Sequence, residues 1–96
     1  MKARKVLHKK TRFEDGAIRE MVIWQLSETT KNRPHGIKYR LYYGKEGQRL
    51  VGYDNETGKG DHRHFLGKEF PYKFENVEKL LADFEDDIHS VRQRGG

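Results

Sequence analysis

The chain has 96 residues, the size of one domain, with 20 Lys and Arg against 15 Asp and Glu, no cysteine and a mean hydropathy of −1.07. These values exclude disulfides, thiolate metal sites and a cysteine nucleophile, and no apolar run approaches the roughly 18 residues of a membrane span. Leu, Ile, Val and Phe make up 21 residues, just above the level of about 20% below which chains stay disordered, so a small folded core is expected in a single domain over 1–96. Residues 3–12 alternate weakly, with Ala3 and Leu7 in one parity and Val6 in the other, and end at a hairpin signal, Glu14-Asp15-Gly16. Residues 17–27 place Ile18, Val22, Trp24 and Leu26 in one parity and Met21 and Ile23 in the other. The turn and the β-branched and aromatic content favour a strand there over a helix. Residues 28–36 form a loop rich in Thr, Asn, Pro and Gly.

The cleanest strand is 37–43, where Ile37, Tyr39, Leu41 and Tyr43 alternate with Lys38, Arg40 and Tyr42. Gly44-Lys45-Glu46-Gly47 makes the next hairpin, residues 48–54 return, 55–60 are turn-rich, and a short strand covers about 61–66. Pro71 is expected to end regular pairing. A helix follows over 77 to about 92: Val77, Leu80, Leu81, Phe84, Ile88 and Val91 define one apolar face, Asn76 caps its start, and Gly95-Gly96 stops it. Asp83, Glu85, Asp86 and Asp87 lie off that face and read as a solvated acidic surface. The expected architecture is α+β, an antiparallel β-meander of four to five strands with one C-terminal helix packed on one face, and Phe84 central to the contact. One helix covers one face only, which leaves the other for solvent, a ligand or a partner.

Charge is unevenly placed. Residues 1–12 carry six basic side chains and no acid, whereas 75–96 carry six acids and three bases. A net charge of +5 and a pI near 9.5 point to a polyanionic partner such as RNA or DNA, against the plainer reading of a solvated surface. The basic start runs into His8, Lys9 and Lys10 rather than an apolar stretch, so no secretory signal is read and a cytoplasmic protein without membrane contact is expected.

The segment richest in chemistry is Lys59-Gly60-Asp61-His62-Arg63-His64. On a strand, His62 and His64 share one face, and Asp61 and Arg63 take the other. Two imidazoles separated by about 6–7 Å at Cα suit the two proton transfers of RNA cleavage, one removing the 2′-hydroxyl proton and one protonating the leaving oxygen. Arg63 or Lys59 would hold the charge that builds on phosphorus, and Asp61 or Asp54 would orient a histidine. The candidate catalytic residues are thus His62, His64, Asp61, Arg63 and Lys59. The same spacing suits two ligands on one Zn or Mn completed by Asp54 or Asp61, which keeps a metal-dependent nuclease open. The plainer alternative is a polar edge strand with an Asp61–Arg63 ion pair. Tyr39, Tyr42, Tyr43 and Tyr53 cluster on the central strands, interleaved with basic residues. Tyr53, Asp54, Lys38, Arg40 and Arg49 are the candidate nucleic-acid contacts, although such tyrosines also serve as core residues. No Walker sequence, serine elbow or dinucleotide fingerprint is present.

Several segments resemble the TumE family of bacterial toxin–antitoxin proteins. They are Gly16-Ala17-Ile18-Arg19-Glu20-Met21-Val22-Ile23-Trp24, His35-Gly36-Ile37-Lys38-Tyr39-Arg40-Leu41, Leu50-Val51-Gly52-Tyr53-Asp54-Asn55, Lys59 through His64, and Val77-Glu78-Lys79-Leu80-Leu81-Ala82-Asp83-Phe84. Phe65-Leu66-Gly67-Lys68 departs from the more polar, acidic loop expected there. The resemblance implies a toxin paired with a DNA-binding antitoxin; it assigns no chemistry. The combined expectation is a toxin acting on RNA or translation, with a metal-independent ribonuclease as the sharper form and no cofactor. The alternatives are a non-catalytic RNA- or ribosome-binding protein and a metal-dependent nuclease.

Overall fold

The computed structural model of the chain describes residues 3–31, 33–55 and 60–94. In chain order it contains β1 (Ala3–Arg12), β2 (Ile18–Leu26), β3 (Ile37–Lys45), β4 (Gln48–Asp54), β5 (His62–Phe65), β6 (Lys68–Pro71) and α1 (Val77–Gln93). Neighbouring strands pair antiparallel, and the order across the sheet is the order along the chain. The α+β meander with a C-terminal helix is as expected, but the sheet has six strands rather than four or five.

The additional strand is β6, in a stretch expected to lie outside regular pairing. Pro71 is its last residue, opposite His62, on an edge where a missing N–H leaves no ladder bond unmade. The β5–β6 turn is equally hard to read in advance. Leu66 and Gly67 take φ values of 49° and 84°, the paired positive angles of a two-residue hairpin that follows strand twist. Leucine adopts this region at a steric cost, and no Asn-Gly or Asp-Gly pair marks the site. At the β3–β4 turn Glu46 and Gly47 adopt the same geometry.

Period-two alternation sorts the sheet into two faces. Met21 and Ile23 of β2, Tyr39, Leu41 and Tyr43 of β3, and Val51 and Tyr53 of β4 are buried together against Leu80, Phe84, Ile88 and Val91 of α1. Phe84 is fully buried, edge-on to Tyr53 with ring centroids 6.0 Å apart. Asn76 caps the helix, its side-chain oxygen accepting from the Lys79 amide at 2.7 Å. The turn-rich residues 56–59 and the helix stop at 95–96 lie outside the described residues. Among the described residues, no helix is long and apolar enough to cross a membrane.

The acidic run on α1 does more than face solvent, which corrects its reading as a solvated surface. Glu85 accepts both 3.0 and 2.8 Å bonds from one Arg19 nitrogen on β2. Asp87 accepts from Tyr53 at 2.6 Å and from two nitrogens of Arg63 at 2.7 and 3.0 Å. Asp83 accepts from Tyr72 at 2.6 Å and Lys79 at 2.9 Å. Only Asp86 of the four stays exposed. The bonds to Arg19, Tyr53 and Arg63 tie the helix to the sheet, and that to Tyr72 ties it to the segment before it.

Candidate functional site on the open face of the sheet

Strand register lays out the open face in rows. One row runs from Glu69 through His64, Gly52, Tyr42 and Glu20 to Lys10, each residue opposite the next on six successive strands. The next row holds His62, Asp54, Arg40, Val22 and His8. A third brings Lys38, Trp24 and Lys5 together. The side chains form a layer of their own: Val22 is 3% exposed yet lies outside the helix-side core.

His64 is the best-anchored group on this face. Arg49 Nη2 lies 3.1 Å from His64 Nδ1, and Asp54 Oδ2 lies 3.4 Å from His64 Nε2. A guanidinium only donates, so Nδ1 accepts and the proton sits on Nε2, facing the carboxylate. Gly52 makes this arrangement possible. It lies directly opposite His64, and a Cβ there would come within 2.9 Å of Arg49 Cδ and 3.4 Å of Arg49 Nε. The missing side chain lets Arg49 cross the β4 backbone to reach the imidazole. A register irregularity on β4, where Val51 faces Tyr43 and Arg49 faces Gly44, turns Arg49 onto this side of the sheet. Gly44 in turn leaves room for the phenol of Tyr42.

His62 sits beside Glu69, with Nε2 to Oε2 3.5 Å. A hollow of about 260 Å³ is lined by Glu20, Arg40, Tyr42, Arg49 and Asp54, and another of about 280 Å³ by Arg49, His64, Gly67, Lys68 and Glu69. Arg49 borders both. A hollow of about 370 Å³ at the far end of β1 is lined by Ala3, Arg4, Gln25, Leu26 and Ser27, and it carries none of this chemistry. Among the described residues, no group of three or more His, Asp or Glu side chains is placed to hold a metal ion.

The other residues singled out in the sequence lie elsewhere. Arg63 occupies the helix side, between Phe65 and Phe70 at 4.8 and 5.3 Å from the ring centroids. Its hydrogen bonds to Asp87 hold its pKa above the ordinary arginine value. Asp61 accepts from Tyr39 at 2.6 Å and faces His35 Nε2 at 3.2 Å, so the Asp61–Arg63 pair does not form. The His35 ring is fixed from its other side, Nδ1 accepting from the Ile37 amide at 3.1 Å. Tyr53 is buried in the core. Burial first, then the bonds their hydroxyls donate to Asp61, Asp87 and Asp83, push the phenols of Tyr39, Tyr53 and Tyr72 well above the usual tyrosine range. Lys59 lies outside the described residues. The residues that the fold gathers on one face are therefore His62, His64, Asp54, Lys38, Arg40 and Arg49.

Sequence reasoning missed Gly52, Trp24 and Glu69 as members of this face. Trp24 belongs to a strand with apolar residues in both parities, so nothing marked its direction. Glu69 lies on the unexpected β6. The signal for Gly52 was present but unread: a glycine inside an alternating strand marks close approach by something else.

The chain matches the family model described as toxin TumE over residues 2–93. No curated protein and no solved structure matches the chain.

Proposed function

We propose, for a chain that belongs to the TumE family of toxins, that the open face of its sheet binds and cleaves RNA without a metal ion. Family membership makes the protein a toxin and implies a cognate antitoxin. The observation that carries the ribonuclease reading is the pairing of two imidazoles with Asp54, Arg40 and Arg49 on the one face that the helix leaves uncovered.

In this reading the phosphodiester docks in the hollows bordered by Arg49 and draws its guanidinium onto a phosphate oxygen, a bidentate partner that suits it better than an imidazole nitrogen. That exposes the Nδ1 lone pair of His64, while Asp54 keeps the ring oriented through Nε2. His64 takes the 2′-hydroxyl proton, and the 2′ oxygen attacks phosphorus. The 5′ oxygen leaves with a proton from His62, beside the Glu69 carboxylate. The products are a 2′,3′-cyclic phosphate and a 5′-hydroxyl. Arg40 and Arg49 stabilise the charge on phosphorus, since Arg63 lies on the helix side bonded to Asp87. The cognate antitoxin is proposed to present an acidic segment to the same face, and the site of action is the cytoplasm.

The test is incubation of the purified chain with RNA in the presence of a chelator, followed by end-group analysis. Cleavage yielding cyclic phosphate ends, reduced about 10²- to 10⁴-fold in His64→Ala and His62→Ala, is expected. Chelator-abolished cleavage leaving 5′-phosphates would replace this reading with a metal-dependent one. Toxicity without cleavage, retained by both variants, would leave RNA binding alone.

A further inference from the structure

Trp24 has no part in the proposed proton transfers, yet it lies on the same face. It is the one tryptophan of the chain and is half-buried, outside the helix-side core. Lys5 and Lys38 stand opposite it on the two flanking strands, and Lys38 Nζ lies 5.1 Å from its ring centroid. A cation over an indole adds stability wherever it occurs, so the pair alone asks for no ligand. The remainder of the face points to one. Along the sheet from Trp24 come Arg40, Tyr42 and Arg49, ending at His64, so aromatic and cationic groups alternate along a diagonal. From strand spacing and residue rise, Trp24 and His64 are roughly 20 Å apart.

We propose that the RNA bound on this face is single-stranded and that one of its unpaired bases, several nucleotides from the cleaved bond, stacks on Trp24, with Lys5 and Lys38 holding the neighbouring phosphates. This rests on the reading of the open face as an RNA site and adds the strandedness of the substrate and its second anchor. A duplex buries the faces of its bases within the stack and offers this sheet only phosphates and sugars. An indole set among lysines is matched instead to an unstacked base joined to phosphates on either side. The buried Tyr39, Tyr43 and Tyr53 cannot do this, which leaves Trp24 and Tyr42 as the described aromatic rings of the open face.

The experiment uses the full chain and an eight-nucleotide 2′-O-methyl RNA, which lacks the attacking hydroxyl and so stays intact. The RNA is offered single-stranded or annealed to its complement. Binding is followed by polarisation of an end-labelled strand and, separately, by Trp24 emission. The single strand should quench Trp24 and bind at least tenfold more tightly than the duplex, an order of magnitude that one stacked base supplies. Trp24→Ala should weaken single-strand binding roughly 5- to 100-fold and leave duplex binding unchanged, while Trp24→Phe should restore most of the loss. Equal affinity for the two forms, or a Trp24→Ala chain that binds the single strand like the parent, overturns the inference. Trp24-dependent binding by a chain that never cleaves unmodified RNA upholds this inference and removes the ribonuclease reading. His64-dependent cleavage with unchanged binding by Trp24→Ala does the reverse.

Discussion

Gly52 decides the geometry of His64, and it does so by what it lacks. Substituting alanine puts a Cβ against the Arg49 side chain, 2.9 Å from Cδ, and pushes the guanidinium away from the position beside His64 from which it is proposed to reach the phosphate. Gly52→Ala is expected to lower RNA cleavage about 10- to 100-fold, since misplacement by an ångström has that effect on an aligned reaction. The melting temperature should hold or rise, because alanine loses less backbone entropy than glycine on folding. Parallel loss of Tm and cleavage would mean that Gly52 serves packing alone. The two histidines were legible in the sequence, because i, i+2 spacing on any strand puts both on one face. Of their partners, Asp54 was legible as a carboxylate on the neighbouring strand, whereas Arg49 beside His64 and Glu69 beside His62 were not. Arg49 reaches His64 through the irregular register of β4, which has no local sequence signature, and through the gap above Gly52, where a glycine inside an alternating strand marks a close approach without showing what makes it. Asp61 and Arg63 look like active-site groups beside two histidines, yet strand alternation sends Arg63 to the opposite face, and Asp61 is engaged by Tyr39 and His35.

At the level of elements, α1 is held by apolar packing and by carboxylates that reach the sheet and the segment before the helix. Burial alone would raise the Asp83 pKa. The bonds it accepts from Tyr72 and Lys79 outweigh that effect and hold it below the ordinary aspartate value. A depressed folded-state value means that the stabilisation is fully present above the unfolded value of about 3.9 and disappears as pH falls through the folded one. Asp83→Asn should therefore lower the urea midpoint at pH 7, by an amount equivalent to about 0.5–1 kcal/mol for a partly exposed pair, and the gap should narrow as pH falls below the ordinary aspartate value. A gap that persists unchanged at pH 2 would assign the effect to something other than the charge. Most elements could be read from the chain: the helix from its apolar face and Asn76 cap, and the first four strands from alternation bounded by turn residues. β6 could not, because its turn places Leu66 in a conformation usually reserved for Gly or Asn, and because Pro71 signals an end to pairing except on an edge. The roles of Asp83, Glu85 and Asp87 were hidden for a different reason: periodicity shows which residues leave the apolar face, not what lies within their reach.

For the molecule as a whole, one helix closes one face, and the open face carries Lys5, Lys10, Lys38, Arg40 and Arg49 against Glu20, Asp54 and Glu69 among the described residues. An antitoxin presenting an acidic segment to this face should associate at a rate that falls about tenfold or more between 50 mM and 500 mM salt, as steered encounters do. A rate insensitive to salt, or docking confined to the outer side of α1, would place the antitoxin elsewhere. In the proposed reading, toxicity resides on the open face. Growth arrest after induction of matched alanine variants tests it most directly, with His62, His64, Arg40 and Arg49 changed on that face and Lys79, Glu85 and Arg94 changed on the helix side, at equal protein levels. The open-face substitutions are expected to relieve arrest and the helix-side ones to leave it intact; relief from the helix-side set, with full arrest from all four open-face variants, would place toxicity elsewhere.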